Sequence, residues 1–348
     1  MKIIGVGDLL IPENYIREGF ELFENQGHEL RTIQWKLGSY EELQNINLLV
    51  ETKGSEAYEP DDEIIQQIKE AEVLITQFFP VNKKVIDACK NLKVVGVLRG
   101  GYENINVDYA SKKGIYVYNT PGRNSNAVAD FTVGMLISEC RNIAKSYKNL
   151  KNGQWVRDYD NAATVPDLPG KTVGIIGFGE IGRKVAKRLH GFDMQILVYD
   201  PFASNYPDYV TPTDLENLMK SSTFVTLHSR LSKETEHMIN DHLLGLMNAN
   251  AYLINTARSG LVDEAALYKA LKEKRIAGAA IDVFDVEPPK ADYPLVSLEN
   301  VTVTPHLAGG TVDAFTQSPK LLGKEILRCL ENGEMESRYL LNRQLVKK

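Results

Sequence analysis

The amino-acid sequence predicts an α/β protein built from two doubly wound parallel sheets. Short runs rich in valine and isoleucine alternate with helical patterns over residues 1–118, and the same alternation resumes after residue 170. This alternation is typical of parallel sheets that helices cover on both faces. The length of 348 residues also suggests about two domains.

Four strands, separated by helices, are predicted in the first region. The strands lie at 2–7, 72–76, 92–97 and 114–119, and the helical patterns at 12–27 and 81–91. The first strand ends in Gly5-Val6-Gly7, which resembles the beginning of the dinucleotide-binding turn G-x-G-x-x-G. Leu10 occupies the third glycine position, and Pro12 follows. We therefore expect Gly5 and Gly7 only to let the chain turn after the strand.

A long helix is predicted at 125–150, where it would connect two domains. Its apolar surface consists of Val128, Phe131, Met135, Ile137 and Ile143. The polar segment 151–170 that follows is predicted to be an arm or a dimer contact. Trp155 in this segment is either a core residue at the domain edge or an interface anchor.

A complete G-x-G-x-x-G motif lies between two further predicted strands. These strands span 172–176 and 195–199. The glycines are Gly177, Gly179 and Gly182, a helix follows them, and Asp200 stands at the end of the second strand. A motif in this βαβ context predicts a dinucleotide-binding site.

Each position of the motif has a physical role. Gly177 permits a tight turn, Gly179 lets the backbone approach a pyrophosphate, and Gly182 lets helix and strand pack closely. The first helical residues, Glu180 and Ile181, belong to a helix N-terminus that offers free N–H groups and partial positive charge to phosphates.

Asp200 indicates which dinucleotide binds. Its carboxylate can accept hydrogen bonds from both ribose hydroxyls of NAD and would repel the 2′-phosphate of NADP. Pro201 and Phe202 follow, and neither could bind that phosphate as an arginine would. The sequence therefore predicts NAD as the cofactor.

Strand patterns continue to the end of the second region, and a helix is predicted near 311–332. The strand-containing segments are 224–229, 251–260, 276–288 and 300–310. Arg258, Glu287 and His306 each follow a different one of these strands, so we expect them to meet at one edge of the sheet, where ligands bind.

These three residues suit hydride transfer on a 2-hydroxy or 2-oxo acid. Arg258 can grip a carboxylate in two places. His306 can exchange a proton with the hydroxyl or carbonyl oxygen, and Glu287 beside it would favour the imidazolium form.

Composition excludes several other functions. A net charge of −6 without a basic stripe argues against nucleic-acid binding. No apolar run approaches the roughly 18 residues of a membrane span, and no metal-ligand cluster is evident. Three cysteines without CxxC spacing suggest reduced thiols in a cytoplasmic protein.

The chain resembles the D-isomer-specific 2-hydroxyacid dehydrogenases, in their phosphoglycerate dehydrogenase-like branch. The segments that carry the resemblance are "GIIGFGEIG" with Asp200, "LINTARSGLVDEAAL", "AAIDVFDVEP" and "VTPHLAG". The resemblance implies that Arg258 holds the substrate and that His306 and Glu287 form the acid/base pair. It also implies that Asp282 contacts the nicotinamide carboxamide. Thr256 and Ala257 would line the cofactor site.

The resemblance also implies the domain arrangement. A Rossmann NAD-binding domain at 120–311 would be inserted into a flavodoxin-like substrate domain formed by 1–119 and 312–348. The helix at 125–150 would be the crossover between them. Members of the family are commonly dimers, so a homodimer is expected.

The substrate is less well defined than the reaction. By the resemblance, Gly100 and Gly101 offer backbone N–H groups to the substrate carboxylate. Arg99 either binds a second anionic group, such as a phosphate, or pairs with Glu103. Arg230 stands where many relatives have proline; it either contacts substrate or cofactor or is a solvated surface residue.

Several functions consequently stay open. Phosphoglycerate, a glyoxylate or hydroxypyruvate substrate, and a longer sugar acid are all compatible with the pattern. An alternative from another class is an NAD(H)-sensing, corepressor-like binding protein, and the intact Arg258, Glu287 and His306 argue against it.

Overall fold

The computed structural model describes residues 1–290 and 292–346. The chain forms two compact units, Met1–Asn124 with Thr311–Lys348 and, between them in sequence, Ser125–Gly310. The first unit contains a sheet of five strands and the second a sheet of seven, and neighbouring strands pair in parallel throughout. The predicted fold class is confirmed.

Strands and helices alternate along the chain, but the elements Glu29–Gln34, Tyr40–Lys53 and Asp62–Ile68 were not predicted. The strands are β1 Lys2–Gly7, β2 Glu29–Gln34, β3 Val73–Thr76, β4 Val94–Val97, β5 Tyr116–Asn119, β6 Thr172–Ile176, β7 Gln195–Tyr199, β8 Val210–Pro212, β9 Phe224–Leu227, β10 Tyr252–Asn255, β11 Gly278–Ile281 and β12 Val301–Val303. The α-helices are α1 Glu13–Asn25, α2 Tyr40–Lys53, α3 Asp62–Ile68, α4 Lys83–Ala88, α5 Val107–Lys112, α6 Ser125–Cys140, α7 Ile143–Lys151, α8 Glu180–His190, α9 Leu215–Ser221, α10 Asp241–Leu246, α11 Glu264–Lys272 and α12 Val312–Asn332.

The sheet of the first unit has the order β2-β1-β3-β4-β5. The strand order therefore reverses between β1 and β3, which places a crevice at their carboxyl ends. Gly7 ends β1, and a Cβ there would lie 2.3 Å from the backbone nitrogen of Glu13. The close approach of α1 to β1 requires a glycine here, so Gly7 is explained without a bound cofactor.

The sheet of the second unit has the order β12-β11-β10-β9-β6-β7-β8. Here the order reverses between β6 and β9, so the motif after β6 lies at a point where open α/β sheets bind ligands. Strands β9, β10 and β11 are buried along their whole length. Their continuous apolar sequences are typical of strands that helices cover on both faces.

The prediction of a single helix at 125–150 is wrong. The segment forms two helices, α6 and α7, and both belong to the second unit. Asn142 between them has a left-handed conformation with φ 57°, which a continuous right-handed helix cannot contain. Its side-chain amide donates to Asn161 at 2.8 Å. Ile143 follows this break and is exposed to solvent, although it was predicted to lie on the apolar surface of the single helix.

The two compact units meet in sequence at 124/125 and 310/311. The domain boundaries expected at 119/120 and 311/312 stay a prediction.

No helix within the described residues is long and apolar enough to span a membrane. Over the same residues, no group of three or more His, Cys, Asp or Glu is placed to hold a metal ion. The free cysteines Cys89, Cys140 and Cys329 are all buried.

Candidate functional site

The glycine motif forms a tight turn between β6 and α8. Gly177 has φ +94°, and a Cβ at this position would lie 2.6 Å from the backbone nitrogen of Ser229. A Cβ on Gly182 would lie 2.1 Å from the carbonyl oxygen of Gly177, so only glycine allows the helix to start so close to the strand. A Cβ on Gly179 would meet nothing within 4 Å, which leaves room for a ligand to approach the backbone.

The N-terminus of α8 supplies hydrogen-bond donors beside that room. The helix begins at Glu180, and no side chain caps it at Gly179. The first N–H groups of a helix have no intrahelical partner, and they carry partial positive charge. The turn at Gly177 and the backbone of Glu180 and Ile181 therefore suit a pyrophosphate.

Asp200 lies at the end of β7, where a ribose would follow the pyrophosphate. Its Oδ2 accepts a hydrogen bond from the amide of Phe178 at 2.7 Å, and its Oδ1 accepts one from Phe202 at 2.9 Å. Each carboxylate oxygen has a second acceptor position for a ribose hydroxyl. The nearby Arg183 donates to the backbone carbonyl of Asn205 at 3.0 Å, so it holds the loop after β7. These residues fit NAD.

The segment after β10 is braced by a residue that the sequence did not single out. The Oδ1 of Asn255 accepts a hydrogen bond from the amide of Ala257 at 3.0 Å, and its Nδ2 donates to the carbonyl oxygen of Arg258 at 2.9 Å. The hydroxyl of Thr256 is buried against that of Thr132 on α6, 2.7 Å away. This bracing fixes the backbone that carries Arg258.

The side chain of Arg258 is exposed beyond the carboxyl end of β10. Its Nη1 donates to the carbonyl oxygen of the adjacent Ala257 at 2.7 Å. Strands β10, β11 and β12 are neighbours in the sheet, and Arg258, Glu287 and His306 follow them in turn. All three residues accordingly leave the same edge of one sheet.

The structure brings Glu287 and His306 into direct contact. The Nδ1 of His306 lies 2.8 Å from the Oε2 of Glu287, and the other carboxylate oxygen accepts a hydrogen bond from the amide of Phe284 at 3.0 Å. The carboxylate is thus held between a backbone amide and the imidazole. Because Nδ1 is engaged, Nε2 is the nitrogen available for proton exchange.

His306 has a left-handed backbone, and Asp282 holds the segment around it. The φ of His306 is +52°, a region that non-glycine residues rarely adopt. The Oδ1 of Asp282 accepts hydrogen bonds from the Thr304 hydroxyl at 2.6 Å and the Leu307 amide at 2.9 Å. Its Oδ2 accepts from the Ala308 amide at 2.9 Å. Asp282 therefore bonds to the chain on both sides of His306.

Asp282 has no exposed surface. Its predicted contact with the nicotinamide carboxamide stays a prediction, whereas the structure shows its bonds to the segment that carries His306. These bonds come from one hydroxyl and two backbone amides, and they form only in this loop conformation. The sequence therefore could not have indicated that Asp282 holds the segment around His306.

A second histidine, which the sequence analysis passed over, lies beside the glycine turn. His228 follows β9, and its Nε2 lies 3.0 Å from the hydroxyl of Thr226. Burial lowers the pKa of His228 to about 3, so its imidazole is neutral near pH 7. Nearby, Arg230 is exposed, and its carbonyl oxygen accepts a hydrogen bond from Thr235 at 2.7 Å.

In the first unit, Arg99 is held by other side chains. Its guanidinium donates to Asn47 at 2.6 Å, is ion-paired with Glu51, and contacts Glu103 at 3.2 Å. Of its two predicted roles, the structure shows the pairing with Glu103. Its binding of a substrate anion stays a prediction.

Gly100 and Gly101 keep their amide N–H groups free of partners within the described residues. Both glycines lie outside the positive-φ region, so neither needs the left-handed conformation that glycine permits. The Nδ2 of Asn119 donates to the carbonyl oxygen of Gly100 at 2.6 Å and orients this peptide segment. The two N–H groups are available to a ligand, and their binding of the substrate carboxylate stays a prediction.

Comparisons with known proteins show which family the chain belongs to. Residues 133–308 match the profile "D-isomer specific 2-hydroxyacid dehydrogenase, NAD binding domain". The chain is 40% identical over 292 residues to a glyoxylate reductase of Thermofilum pendens, covering 82% of this chain and 86% of that protein. It is also 40% identical over 282 residues to a D-3-phosphoglycerate dehydrogenase of Methanocaldococcus jannaschii, covering 79% of this chain but 52% of that protein.

A solved structure extends the similarity to the full length. The D-lactate dehydrogenase of Lactobacillus jensenii, determined with NAD⁺, superimposes with a TM-score of 0.74 at 26% identity, covering 99% of this chain and 100% of that one. The family profile spans half of the chain, and the dinucleotide site lies within it. The chain therefore belongs to the D-isomer specific 2-hydroxyacid dehydrogenase family and is an NAD-dependent oxidoreductase acting on 2-hydroxy acids.

Proposed function

We propose that the chain interconverts a small polar D-2-hydroxy acid and its 2-oxo acid, with Arg258 as the carboxylate clamp and His306–Glu287 as the acid/base pair. The observation that carries this proposal is the 2.8 Å contact between His306 Nδ1 and Glu287 Oε2. A histidine oriented by a carboxylate is the arrangement expected of a general acid and base.

Each direction of the reaction couples the transfer of one hydride to the transfer of one proton. When bound, NAD⁺ would accept the hydride in oxidation, and NADH would donate it in reduction. In reduction, His306 Nε2 gives its proton to the carbonyl oxygen, which becomes the hydroxyl. In oxidation, the same nitrogen removes the hydroxyl proton. Glu287 stabilises the imidazolium and fixes the ring, because its carboxylate is itself held by the Phe284 amide.

Arg258 binds and orients the substrate in this proposal. A guanidinium presents several N–H groups in one plane, so it can contact both oxygens of a carboxylate. Gly100 and Gly101 would add their free N–H groups to the carboxylate. We expect Gly177, Gly179, Glu180, Ile181, Gly182, Asp200, Thr256, Ala257 and Asp282 to make up the cofactor site.

A panel of 2-oxo acids tests the reaction and narrows the substrate. We expect purified protein to oxidise NADH with glyoxylate and hydroxypyruvate and to show no preference for phosphohydroxypyruvate. The reason is that Arg99 is already balanced by Glu51 and Glu103. The measurement is kcat/KM from NADH absorbance for each acid. A strong preference for the phosphorylated acid would contradict this assignment and favour the phosphoglycerate dehydrogenase alternative.

The alternative from another class, an NAD(H)-sensing binding protein, predicts a different result. Such a protein would bind NADH but oxidise it with no member of the panel. The contact between His306 and Glu287 favours the enzyme, because binding alone does not require a proton-transfer pair. Cytoplasmic location stays a prediction.

We also propose a homodimer that forms through α7 and the segment after it. Ile143, Tyr147 and Leu150 project from one face of α7 into solvent, and Trp155 beyond the helix is 80% exposed. This exposure is incompatible with Trp155 as a core residue. Large exposed apolar side chains grouped in this way are typical of protein interfaces.

Light scattering after size exclusion tests the dimer. We expect twice the chain mass of 39.0 kDa for the wild type and a shift toward monomer for Trp155→Glu. The matched control is Phe202→Glu, because Phe202 is an aromatic residue of the same unit that is 95% exposed outside this surface. A monomeric wild type, or dissociation in the Phe202 variant alone, would contradict the proposal.

A further inference from the structure

Three polar groups of the second unit converge next to the turn that carries Glu287. The Asp285 amide donates to the Tyr293 hydroxyl oxygen at 3.3 Å. The Tyr293 hydroxyl in turn donates to Oε2 of Glu264, and the same carboxylate accepts a hydrogen bond from the Asp285 amide. The reaction described above assigns no role to Tyr293 or Glu264, so their contact with this turn requires an explanation.

These hydrogen bonds connect the turn to a fixed point of the fold. Asp285 directly follows Phe284, whose amide donates to Oε1 of Glu287 at 3.0 Å. Glu264 is the first residue of α11. The start of this helix is itself held, because Oδ1 of Asp263 accepts the Ala266 amide at 3.0 Å. A capped helix end is therefore linked through Glu264 to the residue beside Phe284.

The three groups depend on one another because they are partly buried. Burial raises the pKa of the Glu264 carboxyl, and the charge of Asp285 raises it further. Burial also raises the pKa of the Tyr293 hydroxyl, which therefore keeps its proton and remains a donor. A carboxylate withdrawn from water needs such donors, and removing one of them leaves the others without a partner.

The ring and the hydroxyl of Tyr293 make different contributions. The ring packs against that of Phe284, with centroids 5.6 Å apart and planes at 89°. Phe284 is buried and belongs to a hydrophobic cluster of the second unit, against which Tyr293 also packs. The ring therefore contributes to the core, while the hydroxyl is left to hold Asp285 and Glu264. Removing the hydroxyl alone preserves the packing.

The contact between Glu287 and His306 needs such support. Their side chains are 36% and 51% exposed, and an exposed ion pair alone holds its two members together only weakly. The backbone that fixes the carboxylate must therefore be rigid. We propose that Tyr293 and Glu264 are positioning residues, which hold the turn from Phe284 to Glu287 so that the Glu287 carboxylate stays against Nδ1 of His306. This inference rests on the proposed function of Glu287 and His306.

Tyr293→Phe tests the inference, because it removes the hydroxyl and keeps the ring. We expect kcat to fall about tenfold, since a small displacement of a catalytic group costs rate. KM for glyoxylate and the Kd of NADH should change less than about twofold, because Arg258 and the glycine turn are untouched. The matched control is Tyr268→Phe on α11, which removes the hydroxyl of a partly buried tyrosine packed under Lys272 and should leave all three values unchanged.

A double-mutant cycle separates positioning of Glu287 from a general structural role. If Tyr293 acts through Glu287, Tyr293→Phe should change kcat less than about twofold in the Glu287→Gln background. A second tenfold loss in that background would overturn the inference. Glu264→Gln keeps an oxygen that accepts the Tyr293 hydroxyl, so kcat should stay within about threefold of wild type, whereas Glu264→Ala should match Tyr293→Phe. Wild-type kcat in Glu264→Ala would contradict the role of Glu264.

Amide hydrogen exchange distinguishes failure of this inference from failure of the proposed function. Mass spectrometry of the full-length protein follows the peptide that contains Phe284 and Asp285. We expect exchange there to be at least tenfold faster in Tyr293→Phe and unchanged in Tyr268→Phe, because only the former removes an acceptor of the Asp285 amide. If exchange is faster but Glu287→Gln keeps wild-type kcat, the proposed acid/base pair fails and this inference stands. If exchange is unchanged, or if it is faster while Tyr293→Phe keeps wild-type kcat and Glu287→Gln does not, the inference is wrong.

Discussion

Replacing His306 with Gln is expected to reduce kcat by about 10³-fold, which is within the range that general acid–base catalysis contributes. Glutamine keeps a polar group at the position but cannot shuttle a proton. The glycine turn and Asp200 are untouched, so NADH binding, measured by fluorescence titration, should change less than about threefold. Glu287→Gln should reduce kcat by a smaller factor of about 10²-fold, because the imidazole remains while the carboxylate that stabilises its charged form is lost.

A matched control comes from another histidine–carboxylate pair in the same unit. The Nε2 of His242 on α10 lies 3.2 Å from the Oε1 of Glu216 on α9, and both side chains are exposed. His242→Gln should leave kcat and KM at wild-type values. Turnover by His306→Gln at the wild-type rate would falsify the assignment of the proton donor, and an equal loss in His242→Gln would indicate a general effect on folding.

The strands that sequence could predict are those with buried, continuous apolar runs. Val73–Thr76 and Tyr252–Asn255 are buried at every position, and their valine, leucine and isoleucine content gives a direct signal. Edge strand β2, Glu29–Gln34, is buried only at Leu30 and Ile33 and was not predicted. The break at Asn142 was missed because helical periodicity continues across it, and the left-handed residue that causes it has no strong sequence signal apart from asparagine itself.

In the candidate site, too, some contacts could be predicted from the sequence and others could not. Side chains that leave the ends of parallel strands could be predicted to share an edge, and Glu287 and His306 are in contact as expected. Partners that depend on loop backbone could not be predicted, and they include the Phe284 amide on Glu287 and the bonds of Asn255. The sequence left two roles open for Arg99 because its partner Glu51 is distant along the chain. Only folding brings Arg99 and Glu51 together.

Replacing Asp282 with Ala is the other change expected to have a large effect. It would leave the Thr304 hydroxyl and the amides of Leu307 and Ala308 without their acceptor. An unpaired buried donor costs about 1–3 kcal/mol, so we expect unfolding free energy to fall by about 3–5 kcal/mol. The left-handed conformation of His306 carries a further cost of about 1–3 kcal/mol, and without these bonds the segment can relax away from it.

Kinetics of the same variant separate the two roles considered for Asp282. If Asp282 holds the segment that carries His306, kcat should fall about 10- to 100-fold while the Kd of NADH changes little, because a small displacement of a catalytic group costs rate. If Asp282 instead contacts the nicotinamide carboxamide, the Kd of NADH should rise. The control is Asp285→Ala, which removes an exposed carboxylate three positions away and should leave urea unfolding, kcat and NADH binding unchanged. Wild-type kcat and stability in Asp282→Ala would show that the observed bonds do not position His306.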